Sequence, residues 1–147
     1  MARWSARPLA EVPTIGPEEA GDPVWHPLQH FFGLSSFGAN AYVAAESGGE
    51  LLGAHDELAS GQEELYLVVA GVARFTLDGD EVEAPAPFVV AVPDPAVPRA
   101  AVAVEAGTTV LAFGGEPRED FRSSWGESHF RGVPRAGDGI GGPNPAD

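Results

Sequence analysis

His55, Glu57 and Glu64 are the residues whose types and spacing best suit chemistry. One imidazole and two carboxylates are donors that a divalent ion accepts. His55 and Glu57 are two apart, so on a strand they share one face. A neighbouring antiparallel strand would bring Glu64 opposite them. The competing reading makes His55-Asp56-Glu57 the start of a solvated loop running to Gly61. His55 also pairs in type with Tyr66. A histidine exchanges a proton near neutral pH and a tyrosine can donate one, so the two are candidate catalytic base and acid. Glu64 alternates with Tyr66 and Val68. If that face is interior, the carboxylate needs a partner.

Other chemistries are excluded by residue type. The chain has no Cys, so disulfides, thiolate metal sites and Cys nucleophiles are absent. Every basic side chain is Arg, which removes Schiff-base chemistry and a phosphate-loop lysine. No Gly-x-Ser-x-Gly elbow occurs around Ser123, Ser124 or Ser128. The run from Gly137 to Gly142 matches Gly-x-Gly-x-x-Gly, but Pro143 follows and no strand precedes it, so no pyrophosphate site is expected. His26 and His30 are four apart, which on a helix would place both on one surface-facing side.

The 147 residues amount to one domain. The formal charge of −14 repels phosphate backbones and anionic lipid, so neither nucleic acid nor membrane is expected as a partner. No apolar run approaches the ~20 residues of a membrane helix. Met1 to Thr14 lacks an apolar signal-peptide core, and the expected location is cytoplasmic.

These side chains must be positioned by short strands. Gly and Pro number 19 and 14, which argues for many turns. Short strands separated by turn residues are expected over Ser36–Ala45, Glu50–His55, Glu63–Ala70, Val72–Leu77, Glu81–Ala84, Phe88–Val92, Arg99–Val104 and Thr108–Phe113. Leu77-Asp78-Gly79-Asp80 is the strongest hairpin signal, because Asp-Gly tolerates positive φ. Pro27 to Phe32 suits one helical turn before Gly33. The rhythm predicts an all-β antiparallel sandwich or barrel. Ala100–Val104 and Val110–Phe113 are apolar throughout, so both of their faces are expected to be covered, by the second sheet or by another subunit.

Gln62 to Gly71, followed by Val72 to Gly79, resembles the first motif of the cupin superfamily. Glu64 and Gly71 have its Glu-x6-Gly spacing, and Gly49 and His55 its Gly-x5-His spacing. Pro85 to Arg99 stands where the second motif belongs, but only Pro93 survives of it. The resemblance covers residues 40–114 and implies a jelly-roll β-barrel. It further implies a metal held by three His and one Glu, of which only Glu64 is matched without ambiguity. His55 takes the first His position and Glu57 the second, with more residues before Glu64 than the family allows. Pro98 takes the last His position, and Arg99 follows it. An arginine there opposes a metal and would pair with Glu64 or receive an anionic ligand. Cupin-like sugar epimerases use a His base and a Tyr acid, which adds an enzyme reading for His55 and Tyr66.

The expectation is a single-domain jelly roll over 23–115. An N-terminal arm spans 1–22, a segment packing on the barrel spans 116–131 and a flexible tail spans 132–147. The leading reading is a cupin that binds a small molecule inside the barrel without the usual metal. Glu64, Arg99, His55, Tyr66 and Phe88 are its ligand-binding residues, with Val68 and Val90 as walls. The alternatives are an isomerase, epimerase or metal-dependent oxygenase with a reduced site at His55, Glu57 and Glu64, and a non-catalytic homodimeric assembly module. No cofactor is expected in the first reading, and a divalent metal in the second. The expected partners are a small-molecule ligand and a second copy of the chain.

Overall fold

The computed structural model describes residues 2–118 and 121–136. The first of two compact units ends at Pro117. It contains nine strands: β1 (Val24–His26), β2 (Gly38–Val43), β3 (Glu50–His55), β4 (Glu63–Ala70), β5 (Val72–Leu77), β6 (Asp80–Pro85), β7 (Phe88–Val92), β8 (Arg99–Ala103) and β9 (Thr109–Gly115). One sheet has the order β1-β2-β9-β4-β7 and the other β3-β8-β5-β6. All pairings are antiparallel. Most connections carry the chain from one sheet to the other, which is the jelly-roll path.

Local chemistry explains the turns that matter. Asp78 and Gly79 both have positive φ (52° and 88°), the requirement of the tight β5–β6 hairpin. Gly71 has φ 73° where the chain leaves β4 for β5 and changes sheet. Helix α1 (Leu28–Phe32) is a single turn starting after Pro27 and stopped by Gly33 in the left-handed conformation. Its Gln29 Oε1 accepts the Ala39 N–H at 2.7 Å, docking the helix on β2.

The core lies between the sheets. Tyr66, Val68, Phe75, Ala73 and Val110 are fully buried there. The Tyr66 and Phe75 rings meet across it, with centroids 5.8 Å apart. This packing fills the middle of the barrel, so polar chemistry is displaced to one end.

Three expectations change. Strand β1 was not anticipated, since three residues before Pro27 carry no periodicity. It forms by pairing Val24 with Val43. His26 lies on that strand and not on a helix face. It is buried, and its Nδ1 lies 2.9 Å from the Val12 carbonyl, which ties residue 12 to the domain. On β8, alternation is preserved: Arg99, Ala101 and Ala103 are buried while Val102 is exposed, so among the described residues only one face is covered.

A second compact unit begins at Arg118. Its described part contains a short 3-10 turn, Glu127–Phe130, with the Trp125 ring edge-on to His129 at 5.3 Å. The run Gly137–Gly142 and the end of the expected tail lie outside the described residues. Among the described residues, no helix is long and apolar enough to cross a membrane.

Candidate functional site

Register places the site. Glu64 on β4 pairs with Val92 on one side and Gly114 on the other. Antiparallel partners share a face, so Glu64 and Tyr66 point inward with Val90 and Val92. On the opposite sheet His55 pairs with Arg99. A bulge in β3 buries the consecutive Leu51 and Leu52 and resets the alternation before His55. These two sheets therefore bring His55, Glu64, Tyr66 and Arg99 to one end of the barrel.

The Arg99 side chain is fully buried, with 0% of it exposed, and Glu64 has 13% exposed. Nη1 donates to Glu64 Oε1 at 2.7 Å. Nε donates to the Val97 carbonyl at 3.0 Å and Nη2 to the Asp94 carbonyl at 3.3 Å. Arg99 is thus occupied by its own protein, and its expected role as receptor for an anionic ligand gives way to that of Glu64's partner.

Tyr66 OH donates to the same Glu64 Oε1 at 2.6 Å. Burial pushes the Tyr66 phenol far above its ordinary pKa, and the hydrogen bond to the Glu64 carboxylate adds to the rise. The phenol keeps its proton and directs it at Glu64, which fits Tyr66 poorly for the acid role considered with His55. Tyr42 is also raised, by burial first and then by Glu64 and Glu57. By register it lies one strand from Val110, in the row of Val68 and Phe88.

His55 and Glu57 complete the cluster and are more open, with 36% and 20% of their side chains exposed. His55 Nδ1 lies 2.6 Å from the Gly53 carbonyl. A carbonyl only accepts, so Nδ1 carries the proton and Nε2 is left for the site. Nε2 lies 3.3 Å from Glu57 Oε1 and 3.6 Å from Glu64 Oε1. Glu57 lies just beyond β3, in the turn, and not on the strand with His55. Ser60 Oγ donates to its other oxygen at 2.5 Å. Sequence reasoning did not find Ser60 as a neighbour of the site. Phe88 is not brought to it: Val92, four residues along β7, is the partner of Glu64, while Phe88 pairs with Val68 farther up the barrel.

One donor atom from each of His55, Glu57 and Glu64 falls within 4.8 Å of the others. The set fits a divalent ion in donor type and reach. Each ligand atom's residue is also held from behind, by Gly53, Ser60, and Tyr66 with Arg99. The guanidinium on Glu64 subtracts from the charge that would hold the ion.

The architecture matches known structures. A cupin protein from Bacteroides fragilis superposes with a TM-score of 0.61 at 16% identity, over 85% of this chain and 94% of that one. This chain has the cupin fold. A sugar phosphate isomerase from a cupin superfamily, from Silicibacter pomeroyi, gives 0.62 at 21% identity over 76% of each chain. KdgF from Halomonas sp. gives 0.55 at 20%, over 71% and 86%. No family model and no curated protein matches the sequence. The polar end of this barrel carries one His, two Glu and a buried Arg.

Proposed function

We propose that this cupin binds a small hydroxylated molecule at the open end of its barrel, with His55, Glu57 and Glu64 as the polar contacts. The observation that carries the reading is the fixed His55 imidazole, whose Nε2 is aimed at the gap between two carboxylates. Carboxylate oxygens accept from ligand hydroxyls, and Nε2 can take up or return a proton at the bound molecule. The same arrangement would serve an isomerisation, and some structural neighbours are named sugar phosphate isomerases. A phosphate group is disfavoured as the contact here, because Arg99 is buried and occupied.

The triad geometry supports a second reading, in which His55, Glu57 and Glu64 hold a divalent ion. Such an ion would act as a Lewis acid, polarising a ligand oxygen.

A thermal-shift panel of neutral monosaccharides and small polyols tests the first reading. At least one compound should stabilise the wild-type protein and not His55→Ala or Glu57→Ala. A panel that leaves the wild-type melt unmoved, or that moves both variants equally, overturns it.

A further inference from the structure

The outer face of the five-stranded sheet contains a concavity. It has a volume of about 340 Å³, within the size range of small-molecule sites. Sheet register explains why it exists. Glu63 pairs with Gly115, and Leu65 pairs with Phe113 and Ala91. Phe37 precedes Gly38, whose partner is Gly114. Outward side chains therefore stand on both sides of Gly115, which contributes none. A Cβ built on Gly115 meets nothing within 4 Å. The trough is a missing side chain in an otherwise apolar lattice.

Its walls are Phe37, Leu65 and Phe113, with Pro93 at one end. Phe37 and Phe113 lie with ring centroids 6.4 Å apart at 57°. Glu64 borders the trough but turns its carboxylate to the interior, onto Arg99 and Tyr66. Glu63, exposed on the outer face, is the one charged side chain left to the cleft. No cation lines it.

We propose that this outer cleft is a binding site for a small ammonium compound with an apolar ring. The ring fills the space over Gly115 against Phe37, Leu65 and Phe113. The ammonium pairs with Glu63 and is attracted by the faces of the two phenylalanine rings. The chain's formal charge of −14 concentrates cations and repels anions at this surface. The site is on the opposite side of the sheet from the His55 cluster and does not depend on it.

Calorimetric titration with benzylamine, benzyl alcohol and benzoate tests the assignment. Benzylamine should bind saturably, benzyl alcohol more weakly, and benzoate not at all. Gly115→Val places its side chain in the cleft, and Gly115 has no left-handed φ to strain. This variant should keep the wild-type melting temperature and lose at least about tenfold in benzylamine affinity, or about 1.4 kcal/mol. Glu63→Gln should remove the preference for the amine over the alcohol. His55→Ala should bind benzylamine as the wild type does, even if the barrel-end reading fails. Absence of saturable benzylamine binding overturns the proposal, as does equal binding by Gly115→Val or equal binding of benzoate. Light scattering supplies the remaining arm. A wild-type dimer that Gly115→Val converts to monomer would assign the cleft to a second copy of the chain and overturn the small-molecule reading.

Discussion

Arg99 on β8 and Glu64 on β4 join the two sheets across one end of the barrel, with Nη1 2.7 Å from Oε1. The pair is held inside by backbone carbonyls of residues 94 and 97 on the arginine and by Tyr66 on the carboxylate. Removing one partner of a buried pair leaves the other charge uncompensated. Arg99→Ala should therefore destabilise by about 3–5 kcal/mol. Arg99→Met combined with Glu64→Leu and Tyr66→Phe should recover most of that loss, since neither a lone charge nor an unpaired phenol remains. Denaturant unfolding of the two proteins measures both values. An unaltered midpoint for Arg99→Ala would contradict the buried pair.

The two tyrosines of this chain, Tyr42 and Tyr66, are both raised by burial, and Tyr66 also by its bond to Glu64. A phenol whose folded pKa exceeds its unfolded value contributes stability that is complete below the unfolded value, about 10. That stability is lost as pH climbs above it. Phenolate absorbance should stay absent through the ordinary tyrosine range and appear together with loss of folded structure. Tyr66→Phe should lower neutral-pH stability by about 1.5–3 kcal/mol, the worth of a hydrogen bond to a charged group. It should also reduce the fall in stability at alkaline pH. A phenolate transition near pH 10 in the still-folded protein would contradict these environments.

Much of this arrangement was legible in the sequence, because it is written in local chemistry. Strands β3, β4, β5 and β7 fall where short runs with apolar residues are bounded by Gly, Pro and Asp. Asp78-Gly79 announces its hairpin, and the resemblance of Glu64 and Gly71 to the cupin motif implies the inward carboxylate and the turn after its strand. The rest is set by contacts distant in sequence. The β3 bulge that re-aims His55 depends on pairing with β8. Glu57 enters the site through a turn closed by Ser60 and by its own N–H to the Pro95 carbonyl, at 2.8 Å. Neither leaves a periodic trace. Arg99 could be placed opposite Glu64 from its position, but its saturation by carbonyls could not.

If His55, Glu57 and Glu64 take up a divalent ion, Mn²⁺ should raise the melting temperature in proportion to its binding. At a hundredfold excess over the dissociation constant the stabilisation is about 2.7 kcal/mol. Glu57→Gln removes one anionic ligand while preserving shape, and should abolish most of the shift. Thermal melts with and without the ion decide the matter. No shift in the wild-type protein, or the same shift in Glu57→Gln, would remove the metal reading and leave the cluster to hydroxylated ligands.

Gly71 shows how a motif residue can be required for packing and not for chemistry. Its φ of 73° alone would charge an alanine about 1–2 kcal/mol. A Cβ would also run into Thr108, at 2.7 Å from its Cα. Thr108 is fully buried, and its Oγ1 accepts the Val72 N–H while donating within the same turn, so it has nowhere to move. The collision adds about 1–3 kcal/mol. Gly79 is the control: φ is 88°, but a Cβ there meets nothing within 4 Å. Gly79→Ala should cost only the backbone term, and Gly71→Ala should exceed it clearly in the same denaturant assay. Equal losses for the two would mean that Thr108 yields, and that the glycine is fixed by backbone angle alone.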